Sequence, residues 1–192
     1  MAYFSIDEVR AAARDFQQST GKSVSTLLEE ARDTAHDRFD IFLSHSSIDR
    51  ELVLGAKALI ERTGKTVYVD WIDDAQFKRE AADRDTAVRL RRRMQQSDSL
   101  FYAHTPNASL SRWCPWELGY FDALRRPEER VFVMPILQRG QVYEGQEYLS
   151  LYETVDLARW RPSAARRGPS VPLDPLRIRR NLLGPGFSGP FL

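Results

Sequence analysis

Apolar positions change their spacing along the chain, and the spacing predicts the elements. Ile6, Val9, Ala13 and Phe16 recur at helical intervals, and so do Val24, Leu27, Leu28 and Ala31. Thr20-Gly21-Lys22-Ser23 parts the two stretches, with Gly21 suited to stop one helix and Ser23 to cap the next. Residues 5–35 therefore predict a short helical hairpin. The pattern then shifts. Phe39-Asp40-Ile41-Phe42-Leu43-Ser44 is an apolar run of strand length. Leu52, Ala56, Leu59 and Ile60 return to helical spacing, and Gly64 closes that helix. Thr66-Val67-Tyr68-Val69-Asp70 is rich in β-branched and aromatic residues and predicts a second strand. Residues 71–82 are polar and show no period. Ala87, Leu90 and Met94 mark one face of a helix over residues 86–96. A third strand follows at Ser99-Leu100-Phe101-Tyr102-Ala103, and a helix at residues 115–124. A fourth strand is expected at Val131-Phe132-Val133-Met134-Pro135-Ile136, and a fifth near Glu153-Thr154-Val155-Asp156-Leu157.

Short strands that alternate with helices are the signature of βαβ units in an α/β fold with a mainly parallel, five-stranded sheet. The strands are nearly continuous apolar runs, as expected where both sheet faces are covered. Right-handed crossovers place helices on both faces. In such open sheets, ligands bind outside the carboxyl ends of the strands. The loops at residues 44–49, 70–82 and 104–114 all leave those ends and should gather at one rim. Residues 161–192 hold Pro162, Pro169, Pro172, Pro175, Pro185 and Pro190 among glycines and arginines. That composition buries little and predicts an extended tail. The expected organisation is an N-terminal helical extension at residues 1–37, the α/β domain at 38–160 and the tail at 161–192.

Composition narrows the function classes. The chain has 192 residues, 42% hydrophobic and 29% charged, which suits one domain with extensions. A net charge of +1 argues against general attraction to nucleic acid or to a membrane surface. No apolar run approaches the roughly 20 residues of a bilayer span, and residues 1–10 lack a signal-peptide pattern. Cys114 is the one cysteine, which excludes an internal disulfide framework and a cysteine-based zinc site. No metal site is expected, and a reducing, cytoplasmic location is the default.

The segment around Glu117 carries the chemistry. Pro115 has a fixed φ and no N–H, so it suits the first helical position. Cys114 would then be the N-cap, and Glu117 would sit at N3, beside the positive helix end and on the ligand rim. Glutamate at N3 often completes a capping box with Ser or Thr, but cysteine caps poorly. Trp113 and Trp116 add aromatic surface, and a carboxylate beside aromatic rings suits a flat cationic ring. Cys114 with His104 could suggest a thiol hydrolase, but no glycine-rich nucleophile turn is present. The run Arg89, Arg91, Arg92 and Arg93 reads as a solvated helix face.

Three blocks together resemble the TIR domain family. Phe39-Asp40-Ile41-Phe42-Leu43-Ser44-His45-Ser46 is similar to its first strand and loop, and Val67-Tyr68-Val69-Asp70 to its second strand. Ser111-Arg112-Trp113-Cys114-Pro115-Trp116-Glu117-Leu118 resembles the Trp-Cys-x-x-Glu segment around the catalytic glutamate of enzymatic TIR domains. The resemblance covers about residues 38–157 and implies the flavodoxin-like TIR fold. It further implies cleavage of NAD⁺ at the nicotinamide–ribose bond, as an NAD⁺ glycohydrolase or ADP-ribosyl cyclase, with Glu117 catalytic. NAD⁺ is then the substrate, and no further cofactor is implied.

Other positions carry over by the same resemblance. His45 and Ser46 occupy the loop that contacts the nucleotide, where the plain reading is a polar loop with Asp49 or Ser47 capping the next helix. Asp70 ends the second strand, near the nicotinamide end. Trp71 and Phe77 lie in the region matching the mobile BB loop, and either could stack on a substrate ring. Trp113 completes the expected substrate-binding set. Residues 71–82 contain no proline or glycine, unlike the animal receptor form of that loop. Bacterial TIR proteins of antiphage defence, including Thoeris signalling, are the similar group. They imply self-association through TIR surfaces and a product read by a separate effector protein. The competing reading is a non-catalytic TIR–TIR interaction or adaptor module.

Overall fold

A computed structural model describes residues 4–21, 38–70, 84–124, 130–143 and 147–157. In chain order the elements are β1 (Phe4–Ser5), α1 (Ile6–Thr20), β2 (Phe39–Ser44), α2 (Arg50–Glu61), β3 (Val67–Tyr68), α3 (Arg84–Gln95), β4 (Ser97–His104), α4 (Cys114–Leu124), β5 (Val131–Leu137) and β6 (Glu153–Thr154). Short 3-10 turns lie at Ala108–Leu110 and Glu147–Leu151. None of the described helices is long and apolar enough to cross a membrane.

The strands form one sheet in the order β1-β5-β4-β2-β3, with β6 also on β5. Every pairing is parallel. β4 occupies one edge of β5, so β1 and β6 share the other. β6 takes Phe132 and Val133, and β1 takes Ile136 and Leu137. Among the described residues the sheet thus has six strands where the periodicity predicts five. The extra one, Phe4–Ser5, is only two residues long, and a two-residue strand leaves no period to read.

Alternation along the strands divides the core in two. Ile41, Leu43, Phe101, Ala103, Met134 and Ile136 turn toward α1 and α2, where Val9, Ala13, Val53, Ala56 and Ile60 meet them. Phe42, Leu100, Tyr102, Val131 and Val133 turn toward α3 and α4 and pack on Leu90, Met94, Leu118 and Phe121. Both faces are covered, which is why these strands tolerate continuous apolar runs.

α1 opens with a capping box. Ser5 Oγ accepts from the Glu8 N–H, and Glu8 Oε2 accepts from the Ser5 N–H at 2.9 Å. It ends at Gly21, whose φ of +62° is left-handed, as its place in the sequence predicts. α1 lies so close to α2 that a Cβ on Gly55 would stand 1.9 Å from the Val9 carbonyl oxygen. α1 and β1 therefore share the core of the α/β domain. The second helix of the expected hairpin, with its Ser23 cap, lies outside the described residues, as do Trp71, Phe77 and the tail.

β3 is shorter than its β-branched run implies. Only Val67 and Tyr68 pair with β2. Asp40 fixes its start, accepting from the Thr66 N–H at 2.8 Å. Its end comes where Asp70 turns to His45.

Candidate active site

β2, β3 and β4 end at one rim, and α4 begins there. Ser44 is the last residue of β2 and pairs in register with Tyr102 of β4. Residues 42 and 44 share the face turned to α4, so the Ser44 side chain points at the first turn of that helix. There it donates to Glu117 Oε2 across 2.6 Å. Both residues are 0% exposed. The distance is at the short end of the range for a hydroxyl on a carboxyl oxygen. Tyr102 stands beside them. Burial first, then Cys114, Tyr148 and the Glu117 carboxylate, push its phenol well above the ordinary range, so it stays a neutral hydroxyl.

The start of α4 differs by one residue from the sequence reading. Trp113 O accepts from the Glu117 N–H at 2.8 Å, which makes Trp113 the N-cap. Cys114 is then the first helical residue, Pro115 the second and Glu117 the fourth. Ser111 Oγ accepts from the Cys114 N–H at 3.2 Å and satisfies the first donor. Pro115 still fits, because N–H groups of the first turn lack intrahelical partners. Glu117 remains in the first turn, where the helix dipole favours a carboxylate.

His45 and Asp70 come together. His45 Nε2 lies 3.3 Å from Asp70 Oδ1, and each residue is 1% exposed. His45 Nδ1 is 2.9 Å from the Leu43 carbonyl, which only accepts, so Nδ1 carries a proton. Both ring nitrogens face oxygen atoms, Nδ1 the Leu43 carbonyl and Nε2 the Asp70 carboxyl. The pair ties the loop after β2 to the chain that leads into residues 71–83. Ser46 is buried as well, and its carbonyl accepts from the Asp49 N–H at 3.1 Å.

Asp49 takes the N-cap position of α2 but makes no capping bond with its side chain. Its carboxylate instead accepts from Thr105 Oγ1 and from Asn107 Nδ2. That ties the loop after β2 to the loop after β4. At the end of β4, His104 meets Tyr143 edge to face, with centroids 4.9 Å apart. Burial pushes the His104 pKa down from 6.5, and Nδ1 has no hydrogen-bond partner among the described residues.

Trp113 is half-buried, at the N-cap four residues before Glu117. Its ring meets Trp116 edge to face at 5.3 Å. Trp116 stacks on Tyr120 at 5.8 Å, and the Arg91 guanidinium lies 5.5 Å from the Trp116 centroid. Arg93 lies over Tyr68 at 5.3 Å and Phe39 at 5.8 Å. Two of the four arginines expected on a solvated face are thus spent on aromatic rings, a use that helical spacing alone does not reveal.

The structure brings Glu117, Ser44, His45, Ser46 and Asp70 to the rim expected of a ligand site. Ser44 is the residue that the sequence reading left unassigned. Its signal was available: a serine ends an apolar strand one residue before the rim loop. A separate cavity of about 260 Å³ shares none of these residues. Phe4, Ser5, Glu8 and Arg139 help to line it, where β1 and β5 end.

Comparison with known proteins follows the same lines. The family model described as TIR domain matches residues 41–168. Over 151 residues the chain is 41% identical to the "Probable 3' cyclic ADP-D-ribose synthase ThsB'" of Bacillus cereus (strain MSX-D12), covering 76% of each chain. It is 32% identical over 83 residues to the "Putative cyclic ADP-D-ribose synthase TIR2" of Cytobacillus dafuensis, covering 43% of this chain but 22% of that relative. The crystal structure of the TIR domain of the Toll-related receptor TRR-2 from Hydra magnipapillata aligns with a TM-score of 0.46 and 18% identity, over 63% of this chain and 86% of that one.

Proposed function

The chain belongs to the TIR domain family, and on that premise we propose that it cleaves NAD⁺ between nicotinamide and ribose, with Glu117 as the catalytic carboxylate. The observation that carries the reading is the match, over three quarters of both chains, to a relative named for cyclic ADP-D-ribose synthesis. The buried Glu117 at the ligand rim supplies the chemistry.

The nicotinamide of NAD⁺ is already cationic, so it departs as a neutral base and needs no acid. Positive charge then develops on the ribose carbon and ring oxygen. A fixed carboxylate opposite that charge stabilises the transition state in a site where water does not compete. The same carboxylate can accept hydrogen bonds from ribose hydroxyls, which parallels the carboxylate role in glycoside hydrolysis. A hydroxyl of the same ADP-ribose attacks the ribose carbon and releases a proton, closing a cyclic ADP-ribose. Attack by water would give linear ADP-ribose instead. The cyclic product is the one we assign, and it acts as a messenger to a separate effector in antiphage defence of the Thoeris type. His45, Ser46, Asp70, Trp71, Phe77 and Trp113 are the proposed substrate contacts. Self-association through TIR surfaces is part of the reading.

The test is turnover. Purified protein is incubated with NAD⁺ over a range of protein concentrations, and nicotinamide release is followed by chromatography, beside Glu117→Gln. The expected outcome is turnover that falls by about 100-fold or more in the variant, the scale of losing a placed electrostatic stabiliser. Mass analysis should find a product one water lighter than ADP-ribose. Equal activity in both proteins would remove Glu117 from the mechanism. No turnover in either would favour the interaction-module reading.

A further inference from the structure

We propose that Ser44 is the positioning residue of the active carboxylate: its hydroxyl, fixed at the end of β2, sets the rotation of the Glu117 carboxylate toward the ribose. The proposal rests on the functional reading above and adds a residue to it.

The geometry is specific. Ser44 Oγ lies 2.6 Å from Glu117 Oε2, between residues 73 apart in sequence, and both are fully buried. The terminal torsion of a glutamate is broad and two-fold, so the side chain does not choose its own carboxylate plane. An outside donor must choose it. Ser44 is suited because its own backbone cannot drift. It is held in the ladder opposite Tyr102, and the next residue, His45, is pinned by Leu43 O and Asp70. The Asp49 bonds to Thr105 and Asn107 anchor the far end of the same loop.

The choice of a hydroxyl also matters. A lysine or arginine in this place would orient the carboxylate but cancel the charge that the transition state needs. A serine donates one hydrogen bond and leaves the negative charge in place. Charge-assisted bonds of this kind are roughly twice as strong as neutral ones, enough to hold an orientation. Small errors of orientation at a reacting centre are expensive in rate.

A purely structural serine would only satisfy a buried carboxylate, and the experiment separates the two roles. Ser44→Ala, Ser44→Thr and Glu117→Gln are made singly, and Ser44→Ala is also combined with Glu117→Gln. For each, kcat, KM for NAD⁺, the pH profile of kcat/KM and the melting temperature are measured. Positioning predicts that Ser44→Ala lowers kcat by about 10- to 100-fold, the scale for partners that orient a reacting ligand, with KM nearly unchanged. The acid limb of its pH profile moves upward, because the carboxylate loses a donor that favours its charged form. Ser44→Thr, which keeps the hydroxyl, recovers most of kcat. In the Glu117→Gln background Ser44→Ala costs little more, since the two act as one unit. A Ser44→Ala enzyme with kcat within twofold of the parent, whatever its melting temperature, overturns the proposal. So does a loss of kcat that Ser44→Thr does not recover while the acid limb stays in place. If Glu117→Gln itself stays active, the functional reading fails. If Glu117→Gln is dead and Ser44→Ala is normal, only the positioning role fails.

Discussion

Gly55→Ala tests whether α1 is built into this core. Gly55 lies in the middle of α2, where alanine would ordinarily be favoured by about 1 kcal/mol over glycine. Here an added Cβ would stand 1.9 Å from Val9 O, 2.7 Å from Val9 C and 2.9 Å from Val9 Cγ1. Two of those three atoms are backbone, so no rotamer change relieves the clash. Even a close carbon–oxygen contact is about 3.3 Å, so α1 must retreat by roughly 1.4 Å. Val9, Ala12 and Ala13 are almost fully buried, and Ile6 and Phe16 pack beside them. A gap of 0.5–1 Å already forfeits about a quarter to a half of each van der Waals contact. Overpacking with backbone movement costs about 1–3 kcal/mol, and this case should lie near the upper end. At roughly 2–4 °C per kcal/mol for a chain of this size, the melting temperature should fall by about 6–12 °C. Differential scanning calorimetry of the full chain measures it. A melting temperature equal to or above the parent's would mean that α1 does not cross α2 at Gly55, and the packing described above would be wrong.

Gly119→Ala is the matched control. Gly119 sits in α4, and a Cβ added there would meet nothing within 4 Å, so the same substitution should stabilise by about 1 kcal/mol, read in the same scan. A loss of stability there would point to a neighbour covering Gly119. His104 gives a pH signature. Burial lowers its folded pKa below the ordinary 6.5, so the unfolded chain binds the proton first. Its contribution is present above about pH 6.5 and is lost as pH falls through the folded value. Urea unfolding between pH 7.5 and 5 should therefore show a shallower loss of stability in His104→Asn than in the parent. Identical slopes would contradict the burial argument.

Much of the fold was legible because its period is strong. The strand expected at residues 39–44 is β2 as observed, and the helices at residues 86–96 and 115–124 match α3 and α4 to within two residues. What periodicity missed is short or set from elsewhere. β1 has two residues and exists because β5 has a free edge beyond β6. β3 ends at Tyr68, and two residues on Asp70 pairs with His45, a contact between residues 25 positions apart that no local pattern carries. At the rim, the place of Glu117 in the first turn of a helix was legible from its segment. Ser44 was not assigned, because its value lies in a partner 73 residues away. The helix start was misplaced by one residue for a similar reason. Ser111 supplies the first acceptor, and proline at the second helical position looks in sequence much like proline at the first.

The rim explains why a glutamate sits where stability alone would choose a leucine. Glu117 is buried in α4 along with Cys114, Leu118 and Phe121, near enough to Tyr102 that, after burial, its charge helps to raise the phenol's pKa. Removing a carboxylate from water costs several kcal/mol, and only good hydrogen bonds and favourable dipoles offset it. Two such contributions are visible, the Ser44 hydroxyl and the first turn of α4. Neither carries a full positive charge, so neither neutralises the group. Departures of this kind gather at functional sites, where the local rule is broken for chemistry. The three ties around it follow the same logic. The ladder from Ser44 to Tyr102, the His45–Asp70 pair and the Asp49 bonds all hold the loop after β2 rigid. On the proposed reading, a transition state that offers only spread-out positive charge asks the protein mainly to place one negative charge accurately, and a rigid loop after β2 suits that task.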